Sequence, residues 1–181
     1  MTIEPTAFDG LLLIHLNVFS DERGNFREAW QSEKLTQLGL PQFKPVQHNV
    51  AYSKKGVIRG IHAEPWDKYA HPCFGRIFAC IVDLRETSQT FGQHQSFELD
   101  ETRALYVPKG FGNAYQTLTD FAVYSYLVTD HWRADVQYPS IIYNDPDLDI
   151  KWPLQRAIVS DKDKQNATFR QTYPSNQLRQ I

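Results

Sequence analysis

Residues 57–69 read VIRGIHAEPWDKY and pack Arg59, His62, Glu64, Asp67 and Lys68 into ten positions at the end of an apolar run. A neutral imidazole removes a proton near physiological pH, and a nearby ammonium can hold the oxyanion that the removal creates. Such a pair suits enolate chemistry alpha to a ketone. An isolated histidine is more often an ordinary core or surface residue, but the charge gathered around His62 favours a functional role. Strict strand alternation sets Arg59 with Ile61 on one face and His62 with Gly60 on the other, where the missing side chain leaves room for a ligand.

Other polar residues could complete a site. SDERGNFREAW places Arg23 beside Gly24 and follows with Phe26 and Glu28. A guanidinium fork matches phosphate and an aromatic ring stacks on a base, yet the same spacing is also that of a hairpin turn with solvated charges. In PVQHNVAYS, Gln47 and Asn49 alternate onto one face and can hydrogen-bond sugar hydroxyls or phosphate, a weak signal by itself. Tyr124 and Tyr126 share a face in AVYSYLVTD, where a phenol can return a proton to carbon or simply pack. A metal centre is the lesser reading. His62 and Glu64 have no HxH companion, and His48, His71, His94 and His131 lack ligand spacing.

Elements that position these groups are mostly short strands. β-branched and aromatic runs punctuated by Gly, Pro, Asn and Asp cover residues 11–19, 46–53, 56–62, 76–84, 95–99, 104–107, 112–118 and 121–129. Eight strands imply two packed antiparallel sheets or a barrel. One helix is expected over residues 32–38, capped by Ser32, stopped by Gly39 and Pro41, and lying on the sheet edge. A helical turn can start at Ser160, and the polar tail after Thr168 is expected to be mobile.

A chain of 181 residues with 41% hydrophobic and 13% aromatic content makes one domain, residues 1–181, with no repeat or linker to divide it. Its net charge of −2 provides no global basic field for a nucleic acid polymer or an anionic membrane. No stretch is long and apolar enough to span a bilayer, and MTIEPTAFDG does not read as a signal peptide, so a cytoplasmic protein is expected. Cys73 and Cys80 fit neither a disulfide framework nor a paired zinc motif and read as buried, reduced thiols.

Taken in order, DERGNFRE, QHNVAYSKKGVIRGIH, VDLRETSQTFG, VPKGFGNAY, YNDPDLDIKWP and SDKD resemble the dTDP-4-dehydrorhamnose 3,5-epimerases, metal-free members of the cupin or jelly-roll proteins. The resemblance runs from about Leu12 to Asp163 and implies an all-β, cupin-type antiparallel sandwich with a few short helices. It implies an isomerase in dTDP-L-rhamnose biosynthesis, using no cofactor and no metal. His62 would take protons from carbons 3 and 5 of a 4-keto-6-deoxy sugar, and Asp163 would orient it. Lys68 would neutralise the enolate oxygen, and Tyr126 would protonate the opposite face. Arg23, Phe26, Glu28, Gln47, Asn49 and Arg59 would surround the nucleotide, diphosphate and sugar. A homodimer is implied, to which LLLIHLNVF would add an edge strand.

The chain departs from the commonest family pattern in its short RGIHAEPWDKY connection, where a streptococcal-type subgroup is similar. It also departs at Asn113 and Ala114, where His and Gly are frequent, and at Ala51, where Ser is usual. Rival readings are a single-centre epimerase, a non-catalytic sugar-nucleotide-binding cupin, and a metal-dependent cupin.

Overall fold

The computed structural model describes residues 1–174; the end of the expected tail, 175–181, lies outside the described residues. Strands and helices are numbered in chain order. A six-stranded sheet runs, in spatial order, β1 (Thr2–Pro5), β2 (Leu12–His15), β10 (Arg103–Val107), β7 (Lys68–Phe74), β12 (Phe121–Val128) and β5 (Gln47–Lys54). A four-stranded sheet runs β6 (Ile58–His62), β11 (Phe111–Thr117), β8 (Ile77–Asp83) and β9 (His94–Leu99), and β3 (Val18–Asp21) pairs with β4 (Gly24–Arg27) as a separate hairpin. All pairings within these sheets are antiparallel, as expected for a cupin-type sandwich.

Hydrophobic patterning explains the layers. β8 reads IFACIVD because both of its faces are buried: Ile77, Ala79 and Ile81 meet the other sheet, while Cys80 and Val82 point outward under a cover. Between the sheets, those residues pack with Leu99, Leu105, Phe111, Tyr115 and Tyr124. Outside the four-stranded sheet, Ile61, Cys80 and Val82 are covered by Phe91, Ile141, Leu148 and Phe169. Outside one half of the six-stranded sheet, Ile14, Tyr69 and Tyr106 are covered by Leu35, Leu40 and Phe43. Each fully buried large side chain contributes roughly 1.5–3 kcal/mol. The other half of that outer face has no cover, and Val50, Tyr52 and Phe74 are exposed there.

Several sequence expectations are corrected. Of the two thiols expected to be buried, Cys80 is buried in β8 but Cys73 is exposed, because β7 runs out of its cover towards Phe74. Residues 11–19 form two strands in different sheets, because β2 ends at His15 and β3 starts at Val18. Since β2 is paired on one side with β1 and on the other with β10, the LLLIHL run offers no free edge. The other seven expected strands appear with ends shifted by no more than two residues. β7 escaped sequence reading because it is buried on both faces and contains Pro72. Its ladder to β10 involves only Lys68, Tyr69 and Ala70, so Pro72 sits past the point where that neighbour needs a donor. Helix α1 (Ser32–Gln37) is capped by Gln31, whose side chain accepts from the Lys34 N–H, not by Ser32. It rests on the sheet face through Leu35, not on the edge. Helix α2 (Asp161–Lys164) starts at Ser160 as expected. After Thr168 the chain is anchored rather than loose: Thr168 and Gln171 form a capping box for α3 (Phe169–Thr172), and Phe169 is 1% exposed.

One polar knot holds the β8–β9 turn against the start of β11. Asp83 is fully buried and accepts from Arg85 Nε (2.8 Å) and Nη2 (2.7 Å), Ser88 Oγ (2.6 Å) and Thr90 Oγ1 (2.6 Å). Arg85 in turn covers the Phe111 ring at 4.2 Å. Burial pushes the Asp83 carboxyl up, but the donors from Arg85, Ser88 and Thr90 outweigh it and bring it down to about 2. A depressed value means that this knot stabilises the fold above the unfolded carboxylate value of about 3.9, and that the contribution is lost as pH falls through about 2. Asp83→Asn is expected to destabilise by about 3 kcal/mol at pH 7 and to flatten the acid limb of the stability curve, as read by denaturant unfolding from pH 7 to pH 2.

Candidate active site

Edge strands β5 and β6 belong to different sheets and border one open side of the sandwich, where the Arg59 guanidinium Nε donates to Ser53 Oγ at 3.0 Å. Between them is a cleft floored by Tyr115 and Tyr124, whose rings lie 4.6 Å apart. The four-stranded sheet contributes His62 and Arg59, and the six-stranded sheet contributes Tyr126, Lys68, Asn49 and Gln47.

His62 and Arg59 face the same cleft because β6 breaks alternation. His62 lies opposite Asn113 and Arg59 opposite Tyr115, so three steps along β6 match two along β11. The extra residue is a bulge, and it overturns the expectation that Arg59 and His62 point to opposite faces. Ile61 is turned outward into the covered apolar layer. Gly60 stands at φ +118°, and a Cβ there would fall 2.5 Å from Asn113 O and 2.6 Å from Ala114 Cβ. The glycine therefore admits the neighbouring backbone; it does not leave space for a ligand.

Within the cleft, His62 Nε2–H donates to Asp163 Oδ1 at 2.8 Å, which leaves the lone pair on Nδ1. Asp163 is presented by the first turn of α2, where its own N–H donates to Ser160 Oγ at 3.1 Å. Burial raises its carboxyl, but the hydrogen bond and charge of His62, a Gly60 backbone bond and Ser160 together hold it below the ordinary carboxylate value. Asp163 is thus a carboxylate at neutral pH. Lys68 Nζ donates to Glu64 Oε2 at 2.8 Å and lies 5.0 Å from the centre of the Tyr126 ring. Burial and the charge of Glu64 raise the Tyr126 phenol, against a smaller opposing effect of Arg59, so it remains a proton donor through the neutral range.

Gln47 and Asn49 line the same cleft, joined by a 2.7 Å bond from Gln47 Nε2 to Asn49 Oδ1, with Asn49 directly across the ladder from Tyr126. At the rim, the Trp132 N–H donates to Gln47 Oε1, and the Arg133 N–H to the Tyr138 hydroxyl, whose ring meets Trp66. Sequence reading did not assign Ser53 and Tyr115, which hold Arg59 in place, or the rim aromatics. No spacing rule joins residues 53, 59 and 115; only the bulge does.

Arg23, Phe26 and Glu28 are not brought to His62 within this chain. The reading as a hairpin turn holds: β3 and β4 form a hairpin against the outer face of the six-stranded sheet, tied by Arg27 Nη2 to Cys73 O at 2.6 Å. Phe26 is 67% exposed beside a cavity of about 510 Å³ lined by His48, His71 and Ser125. Arg23 pairs with Asp21 at the hairpin tip, and Glu28 pairs with Lys34. Among the described residues, no three His, Cys, Asp or Glu side chains are grouped to hold a metal ion, and no helix is long and apolar enough to cross a membrane.

Residues 5–171 match the sequence profile of the dTDP-4-dehydrorhamnose 3,5-epimerases. The chain is similar to "Protein RmlC homolog" of Streptococcus pyogenes serotype M6, 39% identical over 91% of this chain and 87% of the relative. It is 33% identical to the dTDP-4-dehydrorhamnose 3,5-epimerase of Pseudomonas aeruginosa over 90% and 93% of the two chains. Among solved structures, RmlC from Streptococcus suis in complex with dTDP-D-xylose superposes with a TM-score of 0.88 at 40% identity, covering 92% of this chain and 90% of that one.

The bulge generates a direct test. Gly60→Ala must place a Cβ against Asn113 O and Ala114 Cβ at an unfavourable φ, so a loss of about 2–4 kcal/mol in denaturant unfolding is expected. The residual folded fraction is expected to have little activity, because His62 and Arg59 take their direction from this residue.

Proposed function

The chain belongs to the dTDP-4-dehydrorhamnose 3,5-epimerase family, and from that membership we propose how its cleft converts dTDP-4-dehydro-6-deoxy-D-glucose to dTDP-4-dehydro-L-rhamnose. The protein is an isomerase. One observation carries the mechanism: His62 comes from one sheet and Tyr126 from the facing sheet, so a sugar ring held between them has a base on one side and an acid on the other.

The ketone at carbon 4 acidifies the hydrogens on carbons 3 and 5. His62 Nδ1 takes one of these protons, and the C–H electron pair becomes an enolate whose oxygen is held by Lys68. Asp163 keeps the imidazole in the tautomer with a free Nδ1 and stabilises the imidazolium that forms. Tyr126 then delivers its phenolic proton to the same carbon from the other face, which inverts it, and exchange with solvent restores both groups before the second carbon reacts. Arg59, Gln47 and Asn49 serve the diphosphate and sugar. Use of a nucleotide sugar and the free thiols Cys73 and Cys80 support a cytoplasmic setting.

Arg23, Phe26 and Glu28 fit this scheme only from a second copy. The uncovered outer half of the six-stranded sheet, with Val50 61% and Tyr52 57% exposed, is an apolar face of the kind that a homodimer buries. The β3–β4 hairpin lies at its margin, so pairing two such faces would bring each hairpin towards the partner's cleft. Phe26 would then stack on the base and Arg23 would meet phosphate.

With dTDP-4-keto-6-deoxyglucose in heavy water, deuterium is expected at both carbon 3 and carbon 5 by NMR. Label at one carbon would reduce the reaction to a single-centre epimerisation, and none would refute the substrate. His62→Ala is expected to lose exchange at both carbons by about 10²–10⁴, whereas Tyr126→Phe is expected to keep exchange and lose inversion. Sedimentation equilibrium should show a dimer, and Val50→Asp should yield folded monomer with impaired nucleotide binding. A Val50→Asp protein that stays dimeric would move the interface elsewhere.

A further inference from the structure

The connection between β6 and β7 carries Glu64, a carboxylate that the mechanism above leaves unused. Its side chain is 15% exposed and that of Lys68 is 9% exposed, and the 2.8 Å contact between them is sheltered from solvent. A buried carboxylate beside a site for an anionic substrate is costly unless it is paired and hydrogen-bonded. Asp67, adjacent to Lys68 in sequence, is occupied elsewhere: it accepts from the Tyr106 hydroxyl at 3.1 Å and the Lys109 N–H at 2.9 Å. Glu64 is therefore the acidic group available to Lys68. The other titratable groups that face the pair are His62 from β6 and Tyr124 and Tyr126 from β12, with Arg59 and Tyr115 next to Tyr126.

We infer that Glu64 is a positioning residue for Lys68: its carboxylate takes one ammonium N–H and aims the remaining donors at the oxygen of the enolate. An ammonium has three donors on a flexible stem, and one fixed hydrogen bond removes most of its freedom. The contact over the Tyr126 ring supplies a second restraint, so the charge is held before substrate arrives. Burial raises the Glu64 carboxyl, but the charge and hydrogen bond of Lys68 and the charge of His62 more than reverse that, so Glu64 is ionised at neutral pH. The same negative charge helps keep Tyr126 protonated. One carboxylate thus serves both the group that holds the enolate and the group that protonates it.

This inference rests on the epimerase reading, and the wild-type protein separates the two. If wild type does not turn over dTDP-4-keto-6-deoxyglucose, the functional reading falls. If it does, Glu64→Gln tests the inference, because the amide keeps the shape and removes the charge. The variant is expected to lower kcat at least about tenfold, to change KM by less than roughly threefold, and to move the alkaline limb of the kcat profile to lower pH. Glu64→Asp, which keeps the charge on a shorter arm, is expected to retain the wild-type alkaline limb with a reduced kcat, and it remains informative if the amide variant unfolds. In a Lys68→Met background, measured at neutral pH where the Tyr126 phenol is protonated with or without the Glu64 charge, Glu64→Gln should cause no further loss of kcat. A wild-type kcat and pH profile in Glu64→Gln, a displaced alkaline limb in Glu64→Asp, or an equal loss with and without Lys68, would overturn the assignment.

Discussion

The site depends on one extra residue in β6. Without the bulge at Gly60, alternation would set Arg59 and His62 on opposite faces, one in the cleft and the other in the apolar layer with Ile61. With it, two polar side chains three residues apart look into the same space and Ile61 still fills the core. The glycine is fixed by its positive φ and by the approach of the Asn113 and Ala114 backbone. Function and packing are reconciled at this point, and the cost is a position that tolerates no side chain.

Charge in the cleft follows a second constraint, since ions withdrawn from water need partners. Asp163 has His62 and Glu64 has Lys68, and each pair joins a sheltered carboxylate to a basic group. Arg59 differs: it donates to Ser53 Oγ and the Tyr52 carbonyl, both neutral. Its positive charge therefore faces the cleft without a carboxylate partner among the described residues, a local feature that the net charge of −2 does not reveal.

Layers further out keep this geometry rigid. Helix α2 presents Asp163, and the apolar cover containing Ile141 and Phe169 holds the adjacent C-terminal segment to the back of the four-stranded sheet. That cover also buries Ile61, so the segment that orients His62 from behind and the strand that carries it share one core. The Asp83 knot secures the start of β11, and β11 sets the register of β6. The exposed half of the other sheet has no such role inside a single chain.

Much of this was legible in the sequence, because alternation, turn residues and strand-forming runs are local. Seven expected strands, the caps near Ser160, the hairpin at Arg23 and the chemistry-rich RGIHAEPWDKY segment could all be read from neighbours along the chain. The motif order carried the family and, through it, Asp163, which lies about a hundred residues from its partner. What local patterning could not express was decided in three dimensions. β7 is buried on both faces and so shows no alternation, and β2 is enclosed by β1 and β10 although it reads as a free apolar edge. Arg59 and His62 are set on one face by a register that only pairing with β11 reveals. Glu64 is identified as the partner of Lys68 only once Asp67 is seen to be engaged elsewhere. Residue types and order thus determined which chemistry was available; the tertiary fold decided which groups share a cleft, because faces, registers and partners are properties of strands in contact.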